Sequence, residues 1–155
     1  MKKAQKGFTL VELIVVIAII GILAAILVPA MMGYVKKSKL KSANSSAKLV
    51  FTTVEGAATD VLSDGGQISD VTAGAPSGAV SIGSLSSSSD KCPKAVYNAL
   101  KDNGDDAGMV FWAIESNGNP TVAQFCQGTA TSGIVGQYPD PETDPDANNS
   151  MGQKF

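Results

Sequence analysis

From Leu13 to Val35 the chain runs for 23 residues without a charged side chain. At 1.5 Å per residue a helix of that length spans about 34 Å, enough to cross a bilayer core of about 30 Å. Lys2, Lys3 and Lys6 precede it, which places the N-terminus on the cytoplasmic side and the bulk of the chain outside. A secretory signal would end in small residues and a cleavage site after the apolar run. Here the run ends in Val28-Pro29-Ala30-Met31-Met32-Gly33-Tyr34, and Lys36, Lys37, Lys39 and Lys41 follow. The small residue at a boundary between charge and apolar sequence is Gly7, ahead of the run. On these grounds alone an uncleaved anchor holding a small extracellular domain remains open.

Glu12 does not fit a plain anchor. A carboxylate at the centre of a membrane helix costs about 2.5–3.5 kcal/mol, less near an end, and such residues usually mark function. A bland account is attraction to the positive end of the helix dipole, worth about 0.3–1 kcal/mol.

The stretch Gly7-Phe8-Thr9-Leu10-Val11-Glu12-Leu13, with the apolar helix and Pro29, resembles the N-terminus of a type IV pilin precursor. Type II secretion pseudopilins and competence pilins share this signature. The likeness covers about the first 40 residues and is architectural beyond Lys41. It implies that a prepilin peptidase removes residues 1–7 by cutting between Gly7 and Phe8, and that the new Phe8 amine is methylated. It further implies that Glu12 pairs with the Phe8 amine of a neighbouring subunit during assembly. Residues 8–35 would then serve first as a transmembrane helix and later as filament core, with 36–155 an extracellular domain. The implied partners are other pilin subunits, the peptidase, an inner-membrane assembly platform and the membrane itself.

Within the apolar run, Pro29 lacks an N–H, so the Ala25 carbonyl loses its helical partner and a kink is expected there. Gly21 adds backbone freedom two turns earlier. The resemblance implies that Gly21 to Pro29 can unwind inside a filament. The helix is expected to continue past the membrane, because Leu40, Ala43, Ala47, Val50, Val54, Ala57 and Val61 recur at threes and fours. Asp64-Gly65-Gly66 supplies a stop.

Residues 63–91, rich in Gly and Ser, read as a long connecting loop, with a short strand in Gly78-Ala79-Val80-Ser81-Ile82-Gly83. Pro93 suits the first turn of a short helix ending at Asn103-Gly104. Residues 109–115 and 121–126 form the strongest hairpin, around Ser116-Asn117-Gly118-Asn119, with Trp112 read as core. Residues 134–138 add an edge strand. The acidic, proline-rich tail from Pro139 reads as solvated and mobile. Asp144, Asp146, Asn148 and Ser150 resemble the start of a calcium loop, but Asn149 and Phe155 stand where glycine and glutamate are required. No metal or cofactor is expected. Cys92 and Cys126 are the only cysteines and both lie beyond the membrane segment. An intramolecular disulfide tying the short helix to the sheet is expected, with two separate buried thiols as the alternative.

These elements make an α+β fold, a long helix packed on a small antiparallel sheet. Many pilins with this arrangement resemble a ladle with the helix as handle. The 12 cations are all lysine, and histidine is absent. Without residues 1–7 the side chains sum to 9 − 14 = −5, which argues against a nucleic-acid surface. No nucleophile–base set, phosphate loop or metal motif suggests an enzyme. The resemblance implies a structural subunit of a type IV pilus, whose filament would serve adhesion, twitching motility, DNA uptake or secretion. A type II secretion pseudopilin or a competence-type DNA-binding minor pilin is the alternative.

Overall fold

The computed structural model describes residues 8–103, 108–128, 132–147 and 149–153. The leader residues through Gly7, and the helix end at Gly104, lie outside the described residues. The chain divides into two compact units, Met1–Val35 and Lys36–Phe155.

Helix α1 runs from Leu10 to Ser63. It passes Gly21 and Pro29 without a break in the helix. In the first unit every described residue is exposed, and the same holds up to Lys39. From Leu40 onward one stripe is buried: Leu40, Ala43, Ala47, Val50, Val54, Ala57, Ala58 and Val61. The helix stops where the Gly65 N–H reaches Leu62 O and the Gly66 N–H reaches Val61 O, with Gly65 at φ +83°. This is the Schellman arrangement, and only glycine adopts that φ without strain.

The buried stripe covers a sheet ordered β1 (Val80–Ser81), β2 (Gly108–Ile114), β3 (Pro120–Gln127), β5 (Val135–Tyr138), antiparallel throughout. Val110, Trp112, Ala123 and Phe125 point from this sheet into the main core with Ala43, Ala47, Val50 and Val54. Trp112 is fully buried, and its indole N–H has no hydrogen-bond partner. Such an orphaned donor costs about 1–3 kcal/mol.

The segment read as a long loop instead holds α2 (Ile68–Ala73) and a 3-10 helix (Ile82–Ser87) before α3 (Lys91–Leu100). The Gly and Ser content obscured three anchors, Val71, Ile82 and Leu85, each buried in the core. The Asp70 carboxylate also accepts a hydrogen bond from the Gln67 N–H at 2.8 Å, fixing the start of α2.

The acidic tail is likewise docked rather than free. Strand β6 (Asn149–Ser150) pairs with β4 (Ser132–Gly133), and Met151 is buried against Phe111, Val122, Cys126 and Val135. Gln124 and Gln137 are fully buried beneath it. Gln124 donates to Gln137 Oε1 at 2.9 Å and to Gln153 O, and accepts from the Gly152 N–H at 2.8 Å. Buried amides must find partners, and here the tail backbone provides them.

The expected Cys92–Cys126 bridge is not formed; both cysteines are free and buried. Strand alternation sends Ala123 and Phe125 toward α1 but Cys126 to the opposite face, under Met151. Cys92 packs on Ala57, Ala58, Val61 and Val71, a cluster that Ile114 also touches. Cys126 pairs with Met109, at the other end of β2. The two thiols thus sit in separate clusters, whereas a disulfide needs Cα atoms within roughly 7 Å. Burial raises the pKa of both thiols, with Asp90 adding to the effect at Cys92. Both cysteines should therefore resist alkylation in the native chain at neutral pH. Both should label fully on unfolding without reductant, and intact mass lacking the two adducts would contradict this assignment.

A Cβ on Gly136 would lie 2.1 Å from the Ala43 carbonyl carbon. Strand β5 thus meets the α1 backbone directly, and no side chain can yield to make room. Gly136→Ala should lower stability by about 3 kcal/mol or more, the upper end for overpacking, measured by urea unfolding of the full chain in detergent.

Candidate functional site

Thr9 and Glu12 close the start of α1. The Thr9 N–H donates to Glu12 Oε2 at 2.8 Å and the Thr9 hydroxyl to the same oxygen at 2.6 Å. In return the Glu12 N–H donates to the Thr9 hydroxyl at 3.3 Å. Thr9-Leu10-Val11-Glu12 is thus a capping box, which satisfies donors that a helix start leaves unpaired. The signal was present in the sequence as Thr-x-x-Glu ahead of an apolar run. Both Thr9 donors fall on Oε2, and Oε1 takes no hydrogen bond among the described residues. An incoming cation can therefore bind Oε1 without undoing the cap, since an ionised carboxylate has four acceptor positions. Phe8, 83% exposed, precedes the cap.

Behind this turn lies an uncovered apolar surface. The helix is apolar enough to cross a membrane, and none of that window is buried within the chain. Ile17, Ile20, Ile22, Ile26 and Val28 are all exposed. At Gly21 an added Cβ would meet nothing within 4 Å. Glu12 and the apolar helix thus lie together, whereas Cys92 and Cys126 lie elsewhere, in the second unit.

Within that second unit, polar contacts that the sequence did not reveal hold the tail on α1. The Asn44 side chain donates to Glu142 O at 2.8 Å and accepts from the Gln137 N–H at 3.0 Å. Lys36 pairs with Asp146. Glu142 accepts from the Asp144 N–H, the Thr143 N–H and the Asn149 amide. The Asp144 N–H chiefly lowers its pKa; burial opposes that shift, and the Thr143 and Asn149 donors add to it. This carboxylate is occupied in ordering its own turn. Among the described residues no three acidic, cysteine or histidine side chains converge as a metal site. At the other end of the unit Lys91 pairs with Asp64, and the hydrogen bond lowers the Asp64 pKa and raises that of Lys91.

The family described as the prokaryotic N-terminal methylation motif matches residues 2–28. The type IV major alpha-pilin of Moraxella bovis is 34% identical over 137 residues, which cover 84% of this chain and 83% of that protein. The chain belongs to the type IV pilin family. Other family members match more closely over less. The fimbrial protein EcpC of Eikenella corrodens is 60% identical over 43 residues, 28% of each chain. The type IV major fimbrial protein FimA of Dichelobacter nodosus is 47% identical over 55 residues, 36% of this chain and 35% of its own. In these two matches the chain spans about a third or less of the relative's length. No solved structure matches.

Thr9→Val keeps the shape and removes the hydroxyl of the cap. Loss of a cap costs about 1 kcal/mol, so amide exchange in the first turn of α1 should quicken about fivefold. Hydrogen exchange on the full chain in micelles measures it, and an unchanged rate would rule out the capping role.

Proposed function

We propose that the chain is the structural subunit of a type IV pilus, processed to begin at Phe8 and polymerised through residues 8–35. The observation that carries this reading is the wholly uncovered apolar half of α1, with Glu12 at its first turn. Before assembly it spans the cytoplasmic membrane with its N-terminus inside; afterwards it lies in an extracellular filament. Prepilin peptidase and an inner-membrane assembly platform are its processing partners. It works as a building block, not as a catalyst.

Lipid tails are as apolar as leucine, so leaving the membrane gains little hydrophobic energy. Close packing of helices and the pairing of Glu12 with the Phe8 amine of the next subunit supply the specificity. Once assembled, each helix would have to enter water to leave, at about 1.5–3 kcal/mol per large apolar side chain. Pro29 and Gly21 give the helix a place to bend or unwind as it packs. A head-to-tail contact that does not close produces a filament.

Electron microscopy and mass spectrometry of sheared surface fibres test the proposal. The fibre's main component should start at an N-methylated Phe8; fibres that lack this chain, or a chain still bearing residues 1–7, would sink it.

Glu12→Ala should abolish or sharply reduce fibres while processed subunit stays in the membrane. Removing one partner of a buried pair costs about 3–5 kcal/mol. Abundant normal fibres from this variant would remove Glu12 from assembly.

A further inference from the structure

We infer that Asn149–Gln153, in the tail, is a lid over Cys126 that lifts while the rest of the second unit stays folded. The lid is lightly fastened. Its one buried side chain is Met151, 9% exposed. Ser150 and Gln153 face solvent, and Asn149 and Gly152 are half-buried. Its strand β6 is two residues long and meets a strand of the same length, β4. Side-chain hydrogen bonds supply the rest. Gln124 accepts from the Gly152 N–H at 2.8 Å and donates to Gln153 O, and the Asn149 amide donates to Glu142. Among the described residues no ion pair holds the lid down.

The two thiols are covered differently. Cys126 sits with Met151, Phe111, Val122 and Val135 on the sheet face away from α1. Lifting the lid therefore uncovers it without parting helix from sheet. Cys92, on α3, packs on Ala57, Ala58 and Val61 of α1 and Val71 of α2. Helices α1 and α3 also fill the main core, through Val50, Val54, Val96 and Leu100. Full access to Cys92 requires parting α1 from α3, which opens that core. A segment with few buried apolar contacts opens at lower free energy than the core beside it. Burial holds the Cys126 thiol above its ordinary pKa. Lifting the lid admits water and lets that value fall back. The share of thiolate then rises, and thiolate is the form that attacks an alkylating reagent.

The test follows maleimide labelling of the full chain in micelles, resolved by site through peptide mass, in urea below the unfolding transition. An opening that exposes little surface depends weakly on urea, whereas global unfolding depends on it steeply. The Cys126 rate should stay nearly flat across that range and lie about tenfold or more above the Cys92 rate. The Cys92 rate should climb with urea. Met151→Ala should speed Cys126 about tenfold or more. Val54→Ala changes the main core outside both thiol clusters. It should speed Cys92 about tenfold and leave Cys126 within about twofold. A Cys126 rate that climbs as steeply as that of Cys92 means that only global unfolding reaches the thiol, and overturns the lid. So does a Cys126 rate that Val54→Ala raises as much as that of Cys92, or that Met151→Ala leaves unchanged. The urea series needs the wild-type chain alone, so it decides the matter even where a variant folds poorly.

Discussion

A helix can enter lipid because it satisfies its own backbone hydrogen bonds, and the remaining question is what covers its side chains. In this chain the answer changes at Leu40. Before it, the described residues are exposed on every side; after it, one stripe is buried, flanked by half-buried Asn44 and Phe51, and the opposite side faces solvent. The same backbone geometry serves both halves, and only the side chains differ. An apolar surface of this kind, left bare by its own chain, requires lipid or other copies around it.

The packing in the second unit depends on a close approach between α1 and β5. Gly136 lets strand backbone lie on helix backbone at Ala43 and Asn44. Asn44 then serves both sides of the contact, donating to the tail and accepting from the strand. Tyr138 closes the same edge against Phe51, with ring centres 5.0 Å apart. On the far face of the sheet, two buried glutamines leave the tail little choice of path, because each amide must be satisfied. The tail that composition marks as solvated is therefore ordered by polar groups more than by its own apolar residues, Met151 excepted.

The charges follow the same division. Glu12 is satisfied on one oxygen within its own turn and open on the other. Its cost in an apolar setting is thus reduced before any partner arrives, without occupying the whole carboxylate. Farther along, exposed ion pairs sit at Lys36 and, just past the end of α1, at Asp64. The charges between them remain exposed.

What the sequence settled by itself were features fixed by local periodicity and chemistry. The apolar run, the three-four stripe from Leu40 to Val61, the Gly65-Gly66 stop and the Trp112 hairpin each declare themselves within a few turns or one strand pair. The Thr9–Glu12 cap was equally local. Tertiary structure alone decided the features that join distant residues. It put Cys92 among the side chains of the helices and Cys126 under Met151 on the far face of the sheet, in separate clusters that no count of cysteines could reveal. It drew Val71, Ile82 and Leu85 out of a Ser- and Gly-rich stretch into the core, and clasped the tail through Gln124. Composition averages over a segment, whereas burial acts on single side chains, and a few anchors are enough to fold a stretch that its average describes as loop.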